Sequence, residues 1–65
     1  MDRELSHKIK KELILAEARV IASWSICAPA GMPPNLTKRV GNIHSLLKKL
    51  IDDITREEIK TSNPN

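Results

Sequence analysis

The sequence lacks tyrosine and phenylalanine, and it has one tryptophan, Trp24, and one cysteine, Cys27. One cysteine excludes an internal disulfide, and Cys27 together with His7 and His44 matches no metal-ligand spacing. In a chain of 65 residues with 40% apolar residues, the core rarely contributes more than about 3–5 kcal/mol. Disulfides, metals and association are the usual remedies, so association is the one that remains.

Long apolar runs and a leader are also missing. No run is long enough to span a bilayer, and the opening residues 1–4 do not resemble a signal peptide. A lone thiol fits a reducing compartment. We therefore expect a protein of the cytoplasm (the host cytoplasm if it is viral) that has no membrane contact. The net charge of +3 favours anionic partners.

Residues 2–27 are predicted to form one amphipathic helix, because apolar residues recur every three or four positions. They are Leu5, Ile9, Leu13, Ala16, Val20, Trp24 and Cys27. Ile14, Ile21 and Ile26 widen this stripe, so we expect the helix to be covered on more than one side. Trp24 is interpreted as a core or dimer anchor, and Cys27 as a small buried hydrophobic residue.

Residues 28–35 are predicted to form a connector, because the segment 28–34 contains three prolines and a glycine. Asn35 or Thr37 is the predicted N-cap of the next helix, since a short side-chain oxygen can accept the first free N–H groups. The connector is short, so the two helices should run antiparallel.

Residues 36–60 are predicted to form the second helix, followed by a short tail at 61–65. Its apolar seam repeats in steps of three and four, as in a coiled coil. The seam consists of Leu36, Val40, Ile43, Leu47, Leu50 and Ile54. Gly41 costs roughly 1 kcal/mol inside a helix, so we expect a close approach there of the other helix or of a ligand.

One hairpin cannot cover both apolar stripes, whereas two hairpins could form a four-helix bundle. The predicted fold is therefore all-α, an antiparallel helical hairpin that dimerises into such a bundle. The predicted core and dimer residues are Leu13, Val20, Trp24, Val40, Ile43, Leu47, Leu50 and Ile54.

Opposite its apolar seam, the second helix carries a polar stripe at one-turn intervals. The stripe consists of Lys38, Asn42, Ser45, Lys49 and Arg56, and its two ends are about 27 Å apart. A solvated helix face explains such a pattern. The alternative is a ridge that follows a nucleic-acid backbone, in which cations contact phosphates and small polar groups reach sugars. The scarcity of aromatic residues favours a duplex over a single strand.

Other polar residues receive simpler interpretations. The end of the second helix is interpreted as a solvated acidic segment whose carboxylates pair along the helix with Arg56 and Lys60. These carboxylates are Asp52, Asp53, Glu57 and Glu58. His44 is interpreted as a residue at the surface or edge of the second helix.

The segment 34–49, PNLTKRVGNIHSLLKK, resembles the second helix of the nodavirus suppressors of RNA silencing, and the similarity continues to Arg56. The matching residues are Asn42, His44, Leu47, Lys49 and Arg56, with Lys38 in place of a basic arginine. Leu46, Gly41 and Thr37 depart from the family pattern, so the local contacts need not be the same.

This resemblance implies a homodimer of helical hairpins that lies along an A-form duplex and binds double-stranded RNA without reading its sequence. Such binding shields long duplexes from dicing and small interfering duplexes from loading. Carried over by position, the RNA-facing cations would be Lys38, Lys49 and Arg56, with Asn42 and Ser45 between them.

The expected function is therefore sequence-independent binding of double-stranded RNA by a homodimer, with no cofactor, metal or small-molecule substrate. The alternative is a helical-hairpin module that docks on another protein, as a small regulator, antirepressor or chaperone. A DNA-binding regulator is disfavoured because the connector does not suit a helix-turn-helix. We expect no enzymatic activity, because no constellation of acid, base and nucleophile is visible.

Overall fold

The structure, a computed structural model, describes residues 2–62, and the side chains of residues 2–60. These residues form two α-helices, α1 (Arg3–Ser25) and α2 (Pro34–Ser62), and no strand. The predicted all-α hairpin is confirmed at this level. The helices run antiparallel, since Lys10 near the start of α1 contacts Glu58 near the end of α2.

The first turn of α1 is closed by a side-chain cap. The Asp2 carboxylate accepts the N–H groups of Glu4 at 2.9 Å and of Leu5 at 3.1 Å. An acidic N-cap satisfies amide groups that have no partner inside the helix, and its charge favours the positive end of the helix dipole. The helix therefore begins at Arg3, one residue after its cap.

The connector between the two helices contains a glycine, Gly31, whose backbone has the left-handed conformation. After Ser25 the chain continues in turns, and the N–H of Gly31 donates to the Ala28 carbonyl while that of Met32 donates to the Cys27 carbonyl, both at 3.0 Å. This pair of bonds is the Schellman arrangement. Gly31 has φ = 74°, which a residue with a Cβ adopts only at a cost, and the prolines that follow prevent the helix from resuming in the same direction.

The second helix begins at Pro34, before both of the residues that were predicted to cap it. The Pro33 carbonyl accepts the N–H groups of Leu36 at 3.0 Å and Thr37 at 3.1 Å, so Pro34 is the first helical residue. The predicted N-cap at Asn35 or Thr37 is wrong, because proline suits the first helical position and loses no hydrogen bond there. The helix also includes positions 61 and 62 of the predicted tail; residues 63–65 lie outside the described residues.

The close approach predicted at Gly41 is confirmed, and the approaching group is the ring of Trp24. A Cβ atom at Gly41 would lie 2.8 Å from Cζ2 of that ring, closer than carbon atoms pack. The same ring lies beside the imidazole of His44, with 6.1 Å between centroids. Near the connector, therefore, the two helices are joined by an aromatic ring lying on a residue without a side chain.

Two polar pairs cross between the helices further along. Nε2 of His44 lies 3.1 Å from Oε1 of Glu17, and Nζ of Lys10 lies 2.8 Å from Oε1 of Glu58. His44, which was expected at the surface or edge of α2, lies at the edge, where it is half-buried against α1. Glu58 likewise pairs across the hairpin with Lys10, where a partner on its own helix was expected.

A single hairpin covers its apolar residues only in part. Among the predicted core residues, the following are half-buried: Leu13, Val20, Val40, Leu47 and Ile54. Trp24, Ile43 and Leu50 are 42%, 50% and 45% exposed. Cys27 is buried, as predicted, and its thiol donates to the Ser23 carbonyl. The hairpin is a thin rod of 52 × 17 × 11 Å whose core is one layer of side chains.

Candidate nucleic-acid interface

The predicted polar stripe lies on the side of α2 that faces away from α1. Its members, Lys38, Asn42, Ser45, Lys49 and Arg56, are all exposed. At 100° per residue they fall within about 40° of a single line along the helix. That line lies opposite Leu47, whose side chain turns inward. The periodicity of α2 thus brings the five residues together on one solvent-facing ridge, which we call the α2 ridge.

The charge of the α2 ridge is uneven along its length. From Pro34 to Ile51 the helix carries no carboxylate and has four cations: Lys38, Arg39, Lys48 and Lys49. Asp52 and Asp53 follow, and Nη1 of Arg56 lies 3.5 Å from Oδ1 of Asp53. An exposed pair of this kind contributes about 0–1 kcal/mol, so it holds the guanidinium only weakly. The positive potential is therefore concentrated over residues 38–49.

The two carboxylates that contact the opposite helix lie on the inner side of the hairpin, away from the α2 ridge. Glu17 contacts His44 and Glu58 contacts Lys10, both between the helices. The predicted pairing along α2 is confirmed for Asp53 with Arg56 and for Glu57 with Lys60, where the latter pair lies at 3.6 Å. The arrangement leaves the first half of α2 with an outward positive charge.

The Lys10–Glu58 pair changes the acidity of its carboxyl group. The hydrogen bond from the Lys10 ammonium stabilises the ionised form and holds the pKa of Glu58 below its ordinary value of 4.5. Partial burial acts in the opposite direction but is the weaker influence, and the positive charges of Lys10, His7 and Arg3 add to the lowering. Glu58 is therefore an ionised partner of α1 at neutral pH.

The two polar pairs that join the helices could have been suspected from the sequence, because their charged residues lie within the apolar stripes. Lys10 and Glu17 lie within about 60° of Leu13 on the wheel of α1, and His44 and Glu58 lie equally near Leu47 on that of α2. Charged residues inside an apolar stripe indicate partners on a neighbouring element, because an unpaired buried charge is costly. Which of them meet depends on how far one helix is shifted along the other.

Away from the α2 ridge, a shallow and mainly apolar cavity of about 310 Å³ on α1 is lined by His7, Lys10, Lys11, Ile14 and Leu15. No group of three His, Cys, Asp or Glu residues among the described positions could hold a metal ion. Neither of the two described helices is both long enough and apolar enough to cross a membrane.

Comparison with known proteins adds no relative. No family model matches this chain, and neither does any curated protein or any solved structure. The function proposed below therefore depends on the chain's own residues and on the resemblance of residues 34–56 to the nodavirus suppressors.

Proposed function

We propose that this protein is a homodimeric, non-enzymatic binder of double-stranded RNA that recognises the duplex by its shape and charge. The observation that carries the proposal is the α2 ridge. It is exposed along its whole length, and no carboxylate interrupts it between Lys38 and Lys49. Lys38 and Lys49 are three helical turns apart and suit phosphates of a duplex, and Asn42 and Ser45, at one-turn intervals between them, suit sugar hydroxyls.

The surface area of a single hairpin supports dimerisation. One chain exposes 5258 Å². A compact monomer of 7.3 kDa exposes about 4,200 Å², so the hairpin carries about 1,000 Å² in excess. A stable protein–protein interface buries about 800 Å² on each partner. The excess is therefore of the size that one dimer interface would remove.

The exposed apolar residues also form a face suited to a second copy. Leu36, Ile43 and Leu50 lie on one edge of α2, beside the residues that contact α1, and all three are exposed. Since the helices are antiparallel, Leu5 and Ile9 of α1 lie on the same edge of the hairpin. We call these five residues the apolar face. Two apolar faces packed together make a four-helix bundle and leave both α2 ridges in solvent.

Binding of this kind would act by shielding. A protein that covers the grooves and phosphates of a duplex excludes other proteins from the same RNA, whatever its sequence. Together with the resemblance to the nodavirus proteins, this makes suppression of RNA silencing, in the cytoplasm of a host cell, the biological role that we propose.

An electrophoretic mobility-shift series tests the proposal directly. At one fixed salt concentration, the protein should shift duplex RNA more strongly than duplex DNA of the same sequence or either single strand. Lys49→Ala should weaken binding to every duplex RNA alike and lower the slope of log affinity against log salt by about two, because each of the two protomers loses one phosphate contact.

Lys48→Ala is the matched control, since it removes the same charge from the adjacent residue. Lys48 is exposed but lies about 100° around the helix from Lys49, away from the α2 ridge. The ridge is the wrong surface if both variants lose affinity equally. Equal binding to duplex RNA and duplex DNA would contradict recognition of the A-form shape.

The apolar face also favours a second candidate, a hairpin module that docks on another protein. The face could receive an amphipathic helix of a partner in place of a second copy. Sedimentation of a monomer at micromolar concentration, together with no preference for duplex RNA, would favour this module over the RNA-binding dimer.

A further inference from the structure

The connector end of the hairpin is free of charge. Between Arg19 and Lys38 the sequence contains no Asp, Glu, Lys, Arg or His. These residues, 20–37, comprise the last turns of α1, the connector and the first turn of α2, and we call them the hairpin tip. The rest of the chain alternates charged and apolar residues, so this stretch differs in kind from the remainder of the rod.

The hairpin tip presents large apolar side chains to solvent. Ile21, Trp24, Ile26 and Met32 are all exposed, and Ile26 is exposed by 63%. The apolar face of the proposed dimer does not include these four residues. The surface of a soluble protein seldom groups several large apolar side chains without a charge among them unless it binds something.

The backbone of the connector is suited to an apolar environment. The N–H groups of Ala30, Gly31 and Met32 all donate to carbonyl groups of the same segment, at 3.0 Å. The three prolines at positions 29, 33 and 34 have no N–H to satisfy. An inserted loop that leaves amide groups unpaired would be strongly disfavoured, and this segment leaves few.

Exposed cations flank the hairpin tip on both helices. Arg19 precedes it on α1, and Lys38 and Arg39 follow it on α2. The nearest carboxylate on α1, Glu17, is turned inward to His44, and α2 has none before position 52. The three cations thus form a collar behind the apolar residues, at one end of a 52 Å rod.

We propose that the hairpin tip inserts into the surface of an anionic membrane, with the cation collar at the level of the lipid headgroups. Apolar side chains gain by entering the acyl boundary, tryptophan is favoured at the interface, and nearby cations are attracted to anionic lipids. The sequence predicted no membrane contact because no apolar run is long enough to span a bilayer. Insertion into the membrane surface does not require a spanning segment.

Charge argues against the other occupants of this surface. If the tips of two copies met, their cation collars would be brought together, and like charges repel. Duplex RNA would satisfy the collar but would leave Ile26 and Met32 against polar groups. An anionic membrane is apolar where the tip is apolar and negative where the collar is positive.

Vesicle binding by the full chain tests the proposal. In a flotation assay, the protein should bind vesicles of phosphatidylcholine mixed with phosphatidylglycerol and bind much less to phosphatidylcholine alone. Trp24 is the single tryptophan, so its fluorescence emission should shift to the blue when the tip inserts. The double variant Ile26→Glu/Met32→Glu should lower the bound fraction by about tenfold or more, since it removes apolar contacts and adds negative charge.

Ile59→Glu provides the matched control. Ile59 is 61% exposed, nearly as much as Ile26, but it lies at the opposite end of the rod. This variant should bind vesicles as the wild type does. Arg19→Glu with Arg39→Glu should abolish the preference for the anionic vesicles. Circular dichroism checks that each variant keeps its helices, and Ile26→Ser/Met32→Ser replaces the glutamate pair if that pair unfolds.

The proposal is overturned if the wild type does not bind anionic vesicles, including the case in which the tip docks on a protein. It is equally overturned if the tip variant binds as well as the wild type, or if Ile59→Glu loses as much. The result is independent of RNA binding. Ile26→Glu/Met32→Glu should shift duplex RNA normally, and a protein that fails to bind RNA would leave the vesicle result unchanged.

Discussion

At the scale of single residues, Gly41 and Trp24 depend on each other. Glycine within a helix is less favourable than alanine by about 1 kcal/mol, mostly because its backbone loses more freedom. Here the missing side chain provides the space that the Trp24 ring occupies, 2.8 Å from where a Cβ would stand. The ring in turn lies beside His44, which leaves it less room to move away from α2.

Gly41→Ala should therefore destabilise the protein although it raises helix propensity. The added methyl group overlaps the ring, and overpacking costs about 1–3 kcal/mol against a gain of about 1 kcal/mol, which leaves a net loss of about 1 kcal/mol. Urea unfolding measures the change. In a Trp24→Ala background the same substitution should become stabilising, because the ring is gone. A stabilising effect in the wild-type background would contradict the close contact.

At the scale of the helices, polar pairs set how α1 and α2 are aligned. Lys10 with Glu58 and Glu17 with His44 join the helices at two levels, in addition to the Trp24 contact near the connector. Shifting one helix along the other by a turn would separate both pairs and leave charged groups against apolar neighbours. We expect these pairs to contribute more to a unique alignment than to net stability, because ordering and desolvating them offsets much of the attraction.

The Lys10–Glu58 pair predicts a specific loss of stability in acid. Because the pKa of Glu58 is lower in the folded protein than its ordinary value of 4.5, its contribution is fully present above pH 4.5. The contribution is lost as the pH falls from 4.5 through the lower folded-state pKa. Melting temperatures of the wild type and Glu58→Gln should therefore differ at neutral pH and converge in acid.

Lys10→Met supplies the control for that measurement. Without the ammonium group, the hydrogen bond that lowers the pKa of Glu58 is absent. In this background, the change in melting temperature caused by Glu58→Gln should lose most of its dependence on pH. A pH dependence that persists unchanged would show that another group, not Lys10, is responsible.

At the scale of the whole molecule, the hairpin is too thin to bury its large apolar side chains. Its radius of gyration is 15.3 Å, whereas a compact chain of this length has about 11 Å. Both helices line one shared seam, and each retains large exposed apolar residues beside it. Stability of the folded chain should therefore depend on association, so it should depend on protein concentration.

Two variants test the proposed dimer. The wild type should sediment as a dimer at micromolar concentration, and its melting temperature should fall on dilution. Ile43→Glu with Leu50→Glu places charges within the apolar face and should yield monomers that melt at a lower temperature. Ile59→Glu adds a charge to another side of the same helix and should leave the dimer intact. A wild-type monomer that stays folded at these concentrations would rule out the bundle.

The helices and the break between them could be predicted from the amino-acid sequence alone. Periodicity of three and four residues predicts both helices, and the prolines and glycine of residues 28–34 predict the connector. The α2 ridge follows in the same way, because residues spaced at 38, 42, 45, 49 and 56 share one side of any regular helix. These properties depend on backbone geometry within one segment, so no knowledge of the other helix is needed.

Which residues meet was settled by the packing of the two helices. The rotation and shift of one helix against the other determine these contacts. They decide that Trp24 lies on Gly41, that Glu58 reaches Lys10 and that His44 turns inward. Many residues of both helices contribute small amounts to that alignment, so no local pattern predicts it. The same alignment determines which apolar side chains stay exposed, and therefore which surfaces are available for the proposed contacts with RNA, a second copy and a membrane.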